Sequence, residues 1–247
     1  MAPLLEFNNV CATDNDGISL ENFNLELEEH KCVALVGTNE SGINLPLYLS
    51  NKTQPSESGE IRVFSKNIGE YLHHEIYSLR ADLTLIQGEP VFLNNMPMQN
   101  NMHLPLLYHT TLGTKEIEER LAVARELFQL KEPGNRLPAF FDRGTQKKLA
   151  MIRGIAMHPK VLLLEQPSWN LRHSDRKNLA NALKEVRATL KTTMLMATTD
   201  FVLAQEVADI ICLFSDGKVV ARGSAEEMEK NKTKHPKIWG TLEIRAL

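Results

Sequence analysis

Apolar and polar residues alternate through the first third of the chain, in LLEFNNV and again in ISLENFNLELEE, the period-2 signature of strands with one buried face. The run CVALVG at 32–37 is continuously apolar and ends on a glycine, which predicts a strand buried on both faces with a tight turn behind it. A short apolar-periodic segment, INLPLYLSN, follows that turn, and the turn-rich PSESGE at 55–60 leads into another strand, IRVF. Between about 71 and 131 the pattern becomes helical, with KEIEERLAVARELFQL at 115–130 carrying apolar residues at roughly 3.6-residue spacing. Buried strand runs return as VLLLE (161–165), TMLMAT (193–198) and IICLF (210–214), separated by helical stretches at 145–157, 173–190 and 201–208. Buried strands alternating with helices predict an α/β fold, a mostly parallel sheet covered on both faces, with a helical subdomain at about 90–160. No repeat or low-complexity segment interrupts the pattern, and 247 residues are long enough for one large domain or two small ones.

Composition narrows the function classes. At 43% hydrophobic and 24% charged the chain has enough apolar material for a sizeable core, and its formal charge of −3 lacks the basic excess that would draw it to nucleic acid. Cys11, Cys32 and Cys212 lie far apart without a CxxC pair, which predicts reduced core thiols rather than a zinc site or disulfides. His73, His74, His103 and His109 have no metal-ligand spacing, and no metal site is expected. The N-terminal MAPLLEFNNV lacks the pattern of a secretory signal, and the longest apolar runs fall far short of a membrane span. A cytoplasmic protein is expected, with any membrane contact made through a partner.

The candidate chemistry begins behind the first buried strand. Gly37, Thr38, Asn39, Glu40, Ser41, Gly42, Ile43 and Asn44 keep the spacing of the phosphate-binding loop GxxxxGK[ST], between a strand and a helix, where such a loop must sit. Backbone N–H groups of such a loop cradle phosphate oxygens, its lysine neutralises the terminal phosphates, and its hydroxyl binds magnesium. Here Ile43 stands at the lysine position and Asn44 at the hydroxyl position. A charged hydrogen bond contributes about 1.5–3 kcal/mol, so ATP affinity is expected to fall at least about tenfold from Ile43 alone. Ile43 and Leu45 read equally well as core contacts of the following helix, and GxxxxG by itself also fits an ordinary turn.

Downstream residues supply further matches in order. Gln87 follows a strand in LTLIQGEP; Phe141, Asp142, Arg143, Gly144 and Thr145 fall where a signature loop belongs; QKKLAMIRGIAMHPKVLLLEQP runs into Glu165 and Gln166; SWNLR follows at 168–172; and Thr199 precedes Asp200. This ordered set, from about residue 4 to 240, resembles the nucleotide-binding domain of ABC transporters, a P-loop NTPase-type ABC ATPase fold whose mostly parallel sheet carries an antiparallel β part and a helical subdomain. FLNNMPMQNNMHLPLLYHT at 92–110 and the HPKIWG tail look most like the phospholipid-transport branch that works with MCE-type proteins.

The resemblance assigns roles and shows departures from them. Gln87 matches the Q-loop glutamine and Phe141–Thr145 the signature that faces a partner's γ-phosphate. Glu165 stands where the family has a magnesium-binding Asp, Gln166 where it has the catalytic Glu, and Thr199 where it has the switch His. Gln166 cannot accept a proton, and loss of a positioned general base costs on the order of 10²–10⁴-fold in rate. Neither Thr13 nor Asp14 offers a ring for adenine to stack on. Asp142 would repel a phosphate charge by about 4 kcal/mol at about 4 Å and an effective dielectric near 20, with Arg143 offsetting part of that.

These departures lead to the expectation of a pseudo-ATPase, not an enzyme, with no cofactor or only weakly bound Mg-ATP. The resemblance implies that residues 1–247 are a single nucleotide-binding domain, with integral membrane permease subunits and a second such domain, homo- or heterodimeric, as partners, an MCE-type lipid-binding protein as a further candidate partner, and a place on the inner face of the cell membrane. Two alternatives stay open: a slow but genuine transporter ATPase drawing on Lys147 or Lys148, and a soluble regulatory scaffold without a permease. Lys147 and Lys148 otherwise read as a solvated helix start, and Trp169 and Trp239 as packing residues.

Overall fold

The computed structural model describes residues 2–230 and 232–242. Strands β1 (Leu5–Thr13) and β2 (Ser19–Leu27) form a hairpin, then β3 (Cys32–Val36) leads through a loop into the short helix α1 (Leu45–Ser50). β4 (Ser58–Val63), β5 (Lys66–Asn67), α2 (His73–Asp82) and β6 (Leu83–Ile86) follow. The middle of the chain is helical, α3 (Met98–His109), α4 (Thr114–Leu127) and α5 (Arg143–Ala156). After it come β7 (Val161–Glu165), α6 (His173–Leu190), β8 (Thr193–Thr198), α7 (Phe201–Val207), β9 (Ile210–Ser215) and β10 (Lys218–Gly223). Two short helices, α8 (Ala225–Lys230) and α9 (Pro236–Thr241), close the described part.

The period-2 segments make an antiparallel sheet of order β2-β1-β4-β5, with Leu5 and Phe7 opposite Leu27 and Leu25 on one side and Val63 and Ile61 on the other. The continuous apolar runs make a six-stranded sheet of order β10-β9-β3-β8-β7-β6, parallel except for β10. All five residues of β3 and all six of β8 are buried, as expected of strands covered on both faces. One apolar cluster packs the larger sheet against the helices, and a second fills the space between the two sheets, where Phe7 meets Phe23 edge-on at 5.0 Å.

In the parallel register, Val36 pairs with Thr198, Ala197 with Glu165, and Leu164 with Ile86. The strands therefore end together, and the loops that begin at Gly37, Gln87, Gln166 and Thr199 leave one edge of the sheet. That edge is where ligands bind in open α/β sheets.

The predicted α/β architecture and the helical subdomain are found, the latter as α3, α4 and α5. The helical pattern at 71–131 is interrupted by β6, the strand expected ahead of Gln87. Burial pushes the Cys32 thiol up to about 12 and the Cys212 thiol up to about 11, so both are protonated core residues, but Cys11 is only half-buried. The residues at 243–247 that end the single-domain assignment lie outside the described part. No helix among the described residues is long and apolar enough to cross a membrane.

Leu163 is fully buried at the centre of β7. Leu163→Ala is expected to cost about 2–5 kcal/mol of stability, read as a lower urea midpoint at unchanged m-value.

Candidate functional site

The loop from Gly37 to Asn44 begins where β3 ends, with the Gly37 amide donating to Thr198 O at 3.4 Å. Asn39–Ser41 form one 3-10 turn, and Gly42 reverses the chain at φ 86°. A β-carbon at Gly42 would lie 2.9 Å from Ser19 O, so both the dihedral and the space demand glycine. The amides of Ser41 and Gly42 donate back to Thr38 O and Asn39 O, at 3.1 and 3.4 Å. Ile43 and Leu45 are buried in the cluster between the sheets, so the side chain at the lysine position is a core contact. Asn44 Oδ1, by contrast, is a buried acceptor without a hydrogen-bond partner. Glu40 is exposed, and its own backbone amide and the Thr38 hydroxyl hold its carboxyl below the usual carboxylate range.

Facing this loop are the ends of β7 and β8. Gln166 is buried, sits at φ 40°, and makes an amide clasp: its Nε2 donates to Asn39 Oδ1 at 2.8 Å while its Oε1 accepts the Thr199 amide at 3.0 Å. A left-handed backbone costs a non-glycine residue about 1–3 kcal/mol, and here the clasp and a 2.8 Å bond from Gln166 N to Ala197 O over-determine it. Glu165 accepts from Tyr48 Oη at 2.5 Å and from the Gly88 amide at 2.9 Å. Burial, and then the Glu165 carboxylate, push the Tyr48 phenol well up, so it stays a donor. Asp200 serves the fold, accepting the Leu203 amide at 3.0 Å as the N-cap of α7 and pairing with Arg176 at 3.2 Å.

The Gln87 loop is the third wall. Gln87 itself is exposed, and Lys147, fully buried on α5, donates to Gln87 O at 2.8 Å, Gly88 O at 2.9 Å and Glu165 O at 3.2 Å. Burial pushes the Lys147 ammonium down to about 8, against the opposing pull of Glu165 and Glu89. Glu89, two residues beyond Gln87, accepts from Arg143 Nη1 at 2.8 Å and from Trp169 Nε1 at 3.1 Å. In the signature-like stretch, Phe141 packs under the Arg136 guanidinium at 4.3 Å. Asp142 caps α5 through the Thr145 amide and hydroxyl, at 3.1 and 2.6 Å, and those bonds hold its carboxyl below the usual range. Gly144 lies close to the 168–172 loop, since a β-carbon on it would come within 3.0 Å of Asn170 O.

The structure thus gathers the loop at 37–44, Glu165, Gln166 and Thr199 in one place and sets Gln87 beside them. Several expectations are corrected. Lys147 is not a solvated helix start, and neither lysine replaces the missing one: Lys147 spends its three N–H groups on carbonyls, and Lys148 pairs with Asp175 at 2.7 Å. Trp169 is 47% exposed and hydrogen-bonds Glu89, whereas Trp239 is packed against Phe201. Asp14 is occupied in the β1–β2 turn, accepting the amides of Asp16 and Ile18. Tyr48 and Glu89 join the site without having been expected there, whereas Asn39 belongs to the expected loop. Only Glu89 carried a signal, a carboxylate two residues past Gln87.

A model of the ABC transporter family matches residues 20–168. Among curated proteins, the chain is 32% identical over 252 residues to the sulfate/thiosulfate import ATP-binding protein CysA of Synechocystis sp., covering 97% of this chain and 66% of that one. It is 22% identical over 210 residues to the methionine import ATP-binding protein MetN 1 of Staphylococcus epidermidis, covering 85% and 61%. The chain spans about three fifths to two thirds of the length of these relatives. Among solved structures, it superposes on the dimeric, post-hydrolysis ATP-binding cassette MJ0796 bound to ADP and Pi, with a TM-score of 0.82, 22% identity, and coverage of 90% of this chain and 98% of that one. CbiO1 from Clostridium perfringens, part of the ABC transporter complex cbiONQ, gives a TM-score of 0.80 at 20% identity, covering 96% and 98%.

These relatives overturn the expectation that the chain is not an enzyme, for they are named as ATP-binding subunits of import systems. That expectation rests on replacement at Ile43, Asn44, Gln166 and Thr199 together, and the missing base at Gln166 is one part of it. A glutamine also orients the attacking water in small GTPases, where positioning and charge stabilisation carry the reaction. These relatives bear names for sulfate, methionine and, in Photobacterium profundum, Fe(3+) ions.

The buried lysine gives this region a pH signature. Its folded value of about 8 lies below the ordinary 10.5, so between those values the unfolded chain binds the extra proton. The stability of the parent relative to Lys147→Gln is expected to rise from about pH 8 to pH 10.5 and to stay constant below 8, measured by urea unfolding of both proteins across that range.

Proposed function

The chain belongs to the ABC transporter family, and from that membership we propose that residues 1–247 form one nucleotide-binding domain, the ATP-binding subunit of a membrane transporter, working with a second such domain and with integral membrane permease subunits. The convergence of the 37–44 loop, Glu165, Gln166 and Thr199 at one sheet edge supports this reading most directly. The groove beside Gln87 supports the permease. It encloses about 380 Å³ and is lined by Gln87, Val91, Leu104, Tyr108, Arg153 and Met157. The segment at 92–110, whose resemblance suggested phospholipid transport and an MCE-type partner, supplies one wall of that groove, and in this finer reading the permease chooses the substrate.

The residues fit Mg-ATP. Asn44 Oδ1 is a buried oxygen without a partner at the position of the family's magnesium-binding hydroxyl, and amide oxygen is a suitable ligand for a hard cation. Glu165 adds a carboxylate at the end of β7. Bound there, the magnesium would neutralise phosphate charge during transfer to water. Gly37–Asn44 would hold the phosphates by backbone amides, since Ile43 lies in the core and gives no charge. Gln166, fixed by Asn39 and Thr199, would orient the attacking water without taking its proton.

The cation missing at Ile43 would come from Arg143 of a second domain. That side chain is 69% exposed at the start of α5 and, among the described residues, is held by a surface ion pair to Glu89, a contact of about 0–1 kcal/mol that releases readily. A guanidinium supplied in trans stabilises transferred phosphoryl groups. This assembly gives slow hydrolysis, in which the chain is a genuine ATPase limited by its water-orienting amide.

Calorimetry with Mg-ATP and phosphate release by the purified chain test the reading. We expect binding, slow magnesium-dependent release, an increase of about 10²-fold in Gln166→Glu, and a lower rate in Arg143→Ala. Absence of Mg-ATP binding overturns it, and purification from membranes without any integral membrane protein would favour a soluble scaffold instead.

A further inference from the structure

A lysine without solvent exposure is rare, because an ammonium taken out of water must recover every hydrogen bond it loses. Lys147 does so on three backbone carbonyls that belong to two different segments, Gln87 and Gly88 behind β6 and Glu165 at the end of β7. The second of those segments answers in the other direction, since the Glu165 carboxylate accepts the Gly88 amide. Its remaining oxygen accepts Tyr48 Oη from α1. One lysine and one carboxylate therefore close a ring through α5, the Gln87 loop and the turn behind β7, and displacing any of the three breaks at least two charged bonds. Beyond the ring, Glu89 continues the connection to Trp169 and Arg143.

We propose that Lys147 is a positioning residue that locks the Gln87–Glu89 loop to the Glu165 turn, so that a shift at the phosphate-facing end of β7 moves the groove beside Gln87 as one body with it. The inference rests on the reading of Glu165 as nucleotide-facing and of the groove as the partner's seat. Lys147 acts through the backbone it holds and touches no reacting atom. The charged and titratable groups that face it are Glu165 at the end of β7 and Glu89 in the loop, with Tyr48 on α1 reached through Glu165. Lys148, its neighbour on α5, is turned to Asp175. The two carboxylates favour the ammonium and burial opposes it, which places its loss of charge at about 8.

The test uses the whole chain and needs no nucleotide. Trp169 reports on the loop through Glu89, and Trp239→Phe leaves it as the single tryptophan. In that background the Trp169 emission maximum at pH 7 is expected to shift in Lys147→Gln relative to the Trp239→Phe parent. Hydrogen exchange at the Gly88 amide is expected to be roughly tenfold faster in Lys147→Met, the factor that goes with one charged hydrogen bond, while core amides such as Leu183 keep the parent rate. An unchanged Gly88 rate, or equal acceleration at Gly88 and Leu183, overturns the proposal, the latter because it marks a merely structural lysine. If Lys147→Met does not fold, Lys147→Gln decides by the same two exchange rates, and an unchanged Gly88 rate counts against the lock. Failure of ATP binding or phosphate release leaves both readouts intact, so this proposal and the functional reading on which it rests fail separately.

Discussion

Burial of β3 between β8 and β9 leaves its backbone no water to bond, so its amides and carbonyls are committed to the neighbouring strands, apart from Cys32, whose amide donates to Asp209 Oδ2 and whose carbonyl accepts the Asp209 amide. Parallel pairing of the same kind continues through β7 to β6. Because the paired strands stop within a residue of one another, four chain reversals are forced to share one edge. Nothing local to those loops would bring them there. The site is a consequence of sheet register, and the apolar side chains that fix the register lie on the two faces, away from any ligand.

At that edge, neutral amides make the connecting polar contacts. An amide offers a donor and an acceptor at once, and Gln166 uses both, one on Asn39 and one on the Thr199 backbone. A carboxylate in its place would accept from both directions and meet Asn39 Oδ1 with repulsion unless Asn39 turned over. Asn39, Gln166 and Thr199 are therefore mutually adjusted, and the left-handed backbone of Gln166 is held by that adjustment. The same economy governs Ile43, which leaves the loop without a cation but adds a fully buried side chain to the space between the sheets.

The buried lysine sets the opposite balance. Lys147 carries a desolvation cost that an apolar residue would avoid, and its three bonds offset this cost without making it a favourable core residue. What it adds is geometry. Carbonyls in loops are free to face water, and a cation among them is the one partner that draws three to a point.

Much of this was legible beforehand. Period-2 and continuous apolar runs determined which segments are strands and which are buried, and the ordered spacing of GxxxxG, Gln87 and Glu165–Gln166 singled out loops that the sheet brings together at one edge, because these are properties of neighbours along the chain. The side-chain chemistry within the site was not legible, and two inferences from it failed: Lys147 and Lys148 as spare phosphate ligands, and Gln166 as the end of catalysis. A residue's type states which bonds it can form. Only the packed structure decides which it does form, since Lys147 meets Gln87 and Gly88 across 60 and 59 positions of sequence, Gln166 meets Asn39 across 127, and Tyr48 meets Glu165 across 117. Contacts of that range arise when the sheet closes, and no local pattern of hydrophobic and polar residues encodes them.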